Sequence, residues 1–243
     1  CSNTGPQSGP EQLNFNHMAN VIMVLGQTGT GKSAAIRNLN PDETIILNVL
    51  NKPLPFKGSK GMYNKEKRNI FHVESATDVQ RYLANIDKKN EACHNVIIDD
   101  ATFLMRNEFF AKASEKGYEK YTELACHFQG VVRQCVGMRD DMNVFLVMHS
   151  DEKVSEGSID GYKCATVGKM LDEKYDPIAC VTICLFSDIQ FDAKQNPTYG
   201  MYTNATLVNG KRVPAKSPDG MFDELFIPND YQLVVDKIKE YGL

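Results

Sequence analysis

Residues 20–33 read NVIMVLGQTGTGKS, and this stretch decides the fold. Asn20–Leu25 is apolar after its first residue, short, and ended by Gly26, the form of a strand buried in a parallel sheet. The octet Gly26-Gln27-Thr28-Gly29-Thr30-Gly31-Lys32-Ser33 satisfies GxxxxGK[ST] in full. Glycines at these spacings let backbone N–H groups converge on phosphate oxygens without a Cβ in the way. A helix predicted from Lys32 to Leu39, stopped by Pro41, adds the positive end of its dipole. In such a loop the lysine, here Lys32, bridges the β- and γ-phosphates, and the hydroxyl of Ser33 ligates Mg²⁺. The expectation is a site for ATP or a related nucleoside triphosphate with Mg²⁺, contacted by all eight residues from Gly26 to Ser33.

Working outward, apolar runs predict further strands at Thr44–Val49, Asn69–Val73, Asn95–Asp99, Asn143–Met148 and Ala179–Phe186, with Thr198–Asn204 pairing with the last as a β-ribbon. Helical patterns cover Ser75–Lys89, with Ser75 as N-cap, the stretch from Phe103 to Met138 with breaks near Gly117 and Gly130, and Tyr231–Tyr241. Ser150–Pro177 reads as a long loop. Strands alternating with helices predict an α/β P-loop NTPase fold, a mostly parallel sheet covered by helices with a C-terminal β-ribbon. Residues 1–17 are polar and rich in Gly and Pro, with the look of an expression tag joined at His17-Met18. A single domain is therefore expected over 18–243.

Asn95–Asp99 ends in Asp99-Asp100, and a carboxylate at the carboxyl end of a strand beside the glycine loop is where the acidic partner of Mg²⁺ sits. Asp99 takes that position because it completes the apolar run. Asp100 either orients the attacking water or caps the helix ahead of Thr102 and Phe103. His149 follows the Asn143–Met148 strand; strand ends converge on the ligand in such sheets, which makes it a candidate sensor of the γ-phosphate.

The 243 residues include 27 Lys and Arg against 31 Asp and Glu, a net charge of −4 that excludes a protein coated in basic residues. Nucleic-acid contact must then come from a local patch. No apolar run reaches the roughly 18 residues that span a bilayer. The seven cysteines form no CxxC pair and read as free thiols of a reducing cytoplasm.

Beyond the glycine loop, Asn51-Lys52-Pro53-Leu54-Pro55-Phe56, Val96-Ile97-Ile98-Asp99-Asp100, Phe145-Leu146-Val147-Met148-His149, Val167–Lys174 and Ala215-Lys216-Ser217-Pro218 follow in an order that resembles the phage-encoded, RecA-core "AAA-domain" ATPases. That group includes the Sak-type, RecA-like single-strand annealing proteins. The resemblance runs from Met18 to Leu243. It implies a RecA-like core, ATP and Mg²⁺ binding, single-stranded DNA binding, and a role in phage recombination or replication beside a single-strand binding protein. It also gives Lys32, Ser33, Asp99 and His149 the roles of P-loop lysine, Mg²⁺ serine, acidic strand end and sensor. RecA-type enzymes carry a catalytic glutamate just after the strand that follows the P-loop helix. Here that strand runs into Asn48-Val49-Leu50-Asn51, without a carboxylate. Slow hydrolysis is therefore expected, with Asp100 and Glu74 as the candidate bases.

Between Lys52 and Arg68 lie Lys52, Lys57, Lys60, Lys65, Lys67 and Arg68 against Glu66 alone, with Phe56 and Tyr63 interleaved. Cations among aromatics track a phosphate backbone and stack bases, so Lys52, Phe56, Lys57, Lys60, Tyr63 and Lys65 are the candidate single-stranded DNA contacts; the rival reading is a solvated loop packed on the domain. The 150–177 stretch holds lysines but also seven acidic residues from Asp151 to Asp176, which argues against a DNA site. Lys169, Lys174 and Lys216 are instead candidates to reach a nucleotide held by an adjacent subunit of a homo-oligomer. A nucleotide-dependent switch or scaffold is the alternative function. A small-molecule kinase ranks behind both, because residues 150–178 contain no arginine to build a lid.

Overall fold

The structure, a computed structural model, describes residues 18–155, 157–168 and 170–243. Its strands are β1 (Asn20–Leu25), β2 (Thr44–Asn48), β3 (Ile70–His72), β4 (Asn95–Asp99), β5 (Asn143–Val147), β6 (Ser150–Ser155), β7 (Ser158–Cys164), β8 (Ile183–Phe191), β9 (Pro197–Tyr202), β10 (Thr206–Val208), β11 (Lys211–Val213) and β12 (Phe226–Pro228). The α-helices are α1 (Ser59–Met62), α2 (Ala76–Lys89), α3 (Thr102–Ala111), α4 (Glu119–Val136) and α5 (Tyr231–Tyr241).

The main sheet has the order β12-β9-β8-β1-β5-β4-β2-β3. Every pairing from β8 to β3 is parallel, while β9 and β12 add antiparallel partners beside β8. The predicted parallel core and ribbon are both present. β5 lies between β1 and β4, in a register that sets Val24 beside Val147 and Ile98 beside Leu146. The chain therefore leaves β1, β5 and β4 at one edge, at Gly26, His149 and Asp99.

The period of two along β1 sorts its side chains between two cores. Val21, Met23 and Leu25 join Val79 and Leu83 of α2 and Phe128 and Val132 of α4, whereas Ile22 and Val24 join Ala35, Ile36, Val234 and Ile238 on the other face. The central strands carry apolar side chains on both faces because both faces are covered. α2 begins where expected: Ser75 Oγ accepts from the Asp78 amide at 3.1 Å, and Val79, Leu83 and Ile86 fall at helical spacing on its buried face.

Several expectations are corrected. The short helix read after the glycine loop is present as a 3₁₀ helix, Lys32–Asn38, tighter than an α-helix. Gly130 does not break α4; a Cβ there would come within 2.9 Å of Gln80 Nε2, so the glycine allows α4 to lie close against α2. Residues 150–164 are not a loop but the hairpin β6–β7, joined to β11 and β10 in a second sheet. Its strands are largely polar and exposed, which hid the alternation. The eighth strand starts later than read, because Asp176 caps a 3₁₀ turn, Pro177–Cys180, through the Ile178 amide at 3.0 Å. The six cysteines among the described residues are free, in line with the thiol reading. No helix among the described residues is long and apolar enough to cross a membrane.

Candidate nucleotide site

The glycine loop turns on Gly29 (φ 89°) and Gly31 (φ 91°), left-handed conformations that side-chain-bearing residues rarely adopt. Space excludes a side chain as well: a Cβ on Gly26 would fall 2.6 Å from the Ser187 carbonyl oxygen, and one on Gly31 2.7 Å from Asn229 Nδ2. Neighbours from across the sheet hold the loop. Ser187 Oγ donates to the Thr30 carbonyl at 2.9 Å, Asn229 Nδ2 to the Gly31 carbonyl at 2.8 Å, and Gln27 Nε2 to the Ser150 carbonyl at 3.0 Å. Thr30 Oγ1 closes the turn on the Gln27 carbonyl at 3.0 Å. At Gly29, by contrast, nothing stands within 4 Å of the Cβ position, so the mouth of the loop is open.

Lys32 is buried, and its Nζ donates to the carbonyls of Gly26 and Gln27, both at 2.8 Å. Burial pushes its pKa down to about 8, against the pull of Asp100 and Asp99. An anion in the loop offsets that desolvation and favours the charged ammonium. Ser33 Oγ donates to Asp99 Oδ1 at 2.8 Å, uniting hydroxyl and carboxylate at one point. Burial, then the neighbouring Asp100, push the Asp99 carboxyl up to about 6.

Asp100 is a non-glycine residue with φ 62°, and its carboxylate turns back into the site. It does not cap α3, whose first turn has no side-chain cap. One oxygen lies 2.6 Å from Lys52 Nζ and the other 3.3 Å from His149 Nε2. Burial alone would raise its pKa, but the contacts with His149 and Lys52 outweigh burial and hold it below the usual carboxylate range. His149 is set by its own amide, which donates to Thr102 Oγ1 at 2.9 Å, and by an edge-on contact with Phe103 at 5.7 Å between ring centres.

These groups open on a cavity of about 400 Å³ lined by Thr28, Gly29, Gly31, Lys32, Ser33, Lys52, Asp100 and His149. Ala34, Arg37, Pro55, Tyr199 and Asn229 complete its wall, and the sequence reading missed all five. Arg37 alone carried a local signal, being a cation in the last turn of the helix that begins at Lys32. The residues fit the group the motif implies. Phosphate oxygens match converging amides and a lysine; Mg²⁺, which prefers oxygen ligands, matches the Ser33 hydroxyl and a buried carboxylate whose one hydrogen-bond partner among the described residues is Ser33. Of the two candidate bases, Asp100 lines the cavity, whereas Glu74 is exposed, 3.7 Å from His72, and does not.

The candidate DNA contacts divide. Lys52 belongs to the nucleotide cavity through Asp100. Lys57, Lys60 and Lys65 are exposed, and none of them is in an ion pair among the described residues. Phe56 is half-buried, edge-to-face with Tyr63 at 6.4 Å. Tyr63 is corrected: it is buried, with its hydroxyl donating to the Leu39 carbonyl at 3.3 Å, so its ring is core and cannot stack on a base. Lys169 lies outside the described residues. Lys216 pairs its backbone with Cys184 and lines a separate cavity of about 730 Å³ with Arg212, Lys153 and Tyr175, so it does not reach the nucleotide cavity of its own chain.

A glycine loop between a buried strand and a helix, with Asp99 two strands away and His149 between, defines a P-loop NTPase. A model of the AAA domain matches residues 18–217, and the chain belongs to that family, with a nucleotide-binding ATPase domain of the AAA type. A search of curated proteins finds no match.

Proposed function

We propose that this protein binds ATP with Mg²⁺, hydrolyses it slowly, and acts on single-stranded DNA as a homo-oligomer in recombination, as its resemblance to the phage RecA-core proteins implies. One observation carries the reading: Lys57, Lys60, Lys65, Lys67 and Arg68 form an exposed basic stretch, with no ion pair among the described residues, soon after Lys52, which lines the nucleotide cavity. A phosphate backbone on that stretch lies one loop away from the nucleotide's phosphates. A single-strand binding protein is the partner that the resemblance suggests. Contact of Lys216 with a nucleotide requires a neighbouring copy, since it is remote from its own loop. Ser33 and Asp99 would hold Mg²⁺, which would supply charge neutralisation at the phosphates, and Asp100 with His149 would orient water.

A second reading, a nucleotide-dependent switch without meaningful turnover, is favoured by the position of Asp100. The best-placed base is held by Lys52 and His149 instead of facing the cavity unencumbered. ATPase rate measured with and without single-stranded DNA, with the particle mass recorded in each condition, separates the two. DNA-stimulated turnover in an oligomer supports recombination; ATP binding with no turnover in any condition supports the switch.

A further inference from the structure

Lys52 lines the nucleotide cavity and also a second cavity of about 540 Å³ under the basic segment, where Leu54, Lys60 and Lys65 join it. Asn48, at the end of β2, fixes the turn by donating from Nδ2 to the Lys52 carbonyl at 2.7 Å. Of the pair Lys52 makes with Asp100, the carboxylate side is fixed: Asp100 is held at φ 62°, a backbone conformation the surrounding structure must enforce, while Lys52 follows the left-handed Asn51 at φ 53°. The Lys52 side chain is 59% exposed on a flexible stem, whereas the Asp100 side chain is 6% exposed. The lysine is therefore the partner that can move.

We infer that Lys52 is a phosphate-sensing residue that exchanges Asp100 for the terminal phosphate of a nucleoside triphosphate, releasing the Asp100 carboxylate and shifting the Pro53–Lys65 segment. The inference rests on the nucleotide reading of the P-loop. A terminal phosphate carries more charge than one carboxylate and competes for a lysine that already faces the same cavity. A diphosphate lacks that group, so the exchange distinguishes ATP from ADP and couples nucleotide state to the basic segment.

The test is titration of the full chain with Mg²⁺ and either a non-hydrolysable ATP analogue or ADP, in wild type, Lys52→Met, Lys52→Arg and Lys32→Ala. Lys52→Met is expected to weaken the triphosphate roughly tenfold, the loss of one charge-assisted hydrogen bond, and ADP less than about twofold. Lys52→Arg restores most of the difference. Amide exchange over residues 51–56 changes with the triphosphate in wild type and not in Lys52→Met, while an unchanged thermal midpoint shows that the variant is folded. Equal losses for both nucleotides, or no loss for either, overturn the inference while leaving the P-loop reading intact. Wild type that binds neither nucleotide, or Lys32→Ala that binds both normally, overturns the P-loop reading and this inference with it.

Discussion

Lys32 and Asp99 bring opposite charges into one buried corner, and burial works against both, lowering the pKa of the lysine to about 8 and raising that of the carboxyl to about 6. Lys32→Ala removes the ammonium that two loop carbonyls hold, and with it two charge-assisted contacts to phosphate. ATP affinity should fall by about 100-fold or more, with a small change in thermal midpoint, because other loop bonds remain. Calorimetric titration checks this, and wild-type affinity in the variant removes the P-loop assignment. Asp99 gives a pH signature. An acid with a raised folded pKa binds more protons folded than unfolded between its ordinary value near 3.8 and about 6, so its contribution to stability is greatest below that window and is lost as pH rises through it. Asp99→Asn should erase this slope and stabilise the nucleotide-free protein at pH 7 by about 1–3 kcal/mol. It should also weaken Mg²⁺-dependent ATP binding more than Mg²⁺-free binding. Denaturant titrations at pH 4 and 7, and ATP titrations with Mg²⁺ or EDTA, check both halves; equal losses in EDTA mark a purely structural carboxylate. The position of Asp99 was legible in the sequence because an apolar run pointed it at the glycine loop. Lys52 was read as a DNA contact and was not legible as part of the nucleotide cavity: composition grouped it with the lysines that follow, and only the turn after β2 separates it from them.

At the level of elements, the site is assembled by the ends of β1, β4 and β5, and those strands could be read because full burial makes them continuous apolar runs. The elements that brace the loop from outside were harder to see. Ser187 comes from β8 and Asn229 from just before α5, which lie 157 and 198 residues from their partners in the loop. No local pattern announces a contact at that separation. The β6–β7 hairpin was missed for another reason, since polar side chains cover it and its apolar alternation is weak. Asn229→Ala tests the brace. It removes the donor to the Gly31 carbonyl, a contact that contributes about 1 kcal/mol, so ATP affinity should drop about fivefold as the loop loosens. The expected signature is a change in nucleotide affinity with turnover at saturation little altered. A variant with wild-type affinity shows that the loop holds its shape without this bond.

Across the whole molecule the charge balance is acidic, −4, which gives the protein no general attraction to DNA and makes the basic segment a sharp test. Lys57, Lys60 and Lys65 are exposed with no ion pair among the described residues, so their charge is available to an external phosphate. Each neutralised phosphate of a single strand releases condensed counterion, with a slope of about −0.7 per contact in log affinity against log salt. Replacing the three lysines together with Ala should therefore flatten the slope by roughly two units. Phe56→Ala should cost about 1–3 kcal/mol with little change in slope, because stacking is not ionic. Tyr63→Ala belongs to a different class: it opens a cavity beside Leu54 and Leu39, and its expected effect is a fall of about 3–5 kcal/mol in stability instead of a selective loss of DNA. Anisotropy of a labelled oligonucleotide across several salt concentrations, with and without ATP, makes the measurement, and a thermal midpoint for each variant separates folding from binding. A triple-Ala protein that keeps the wild-type slope rules out this segment as the DNA site. Wild-type protein that does not bind at low salt in any nucleotide state rules out the recombination reading and leaves the nucleotide-dependent switch.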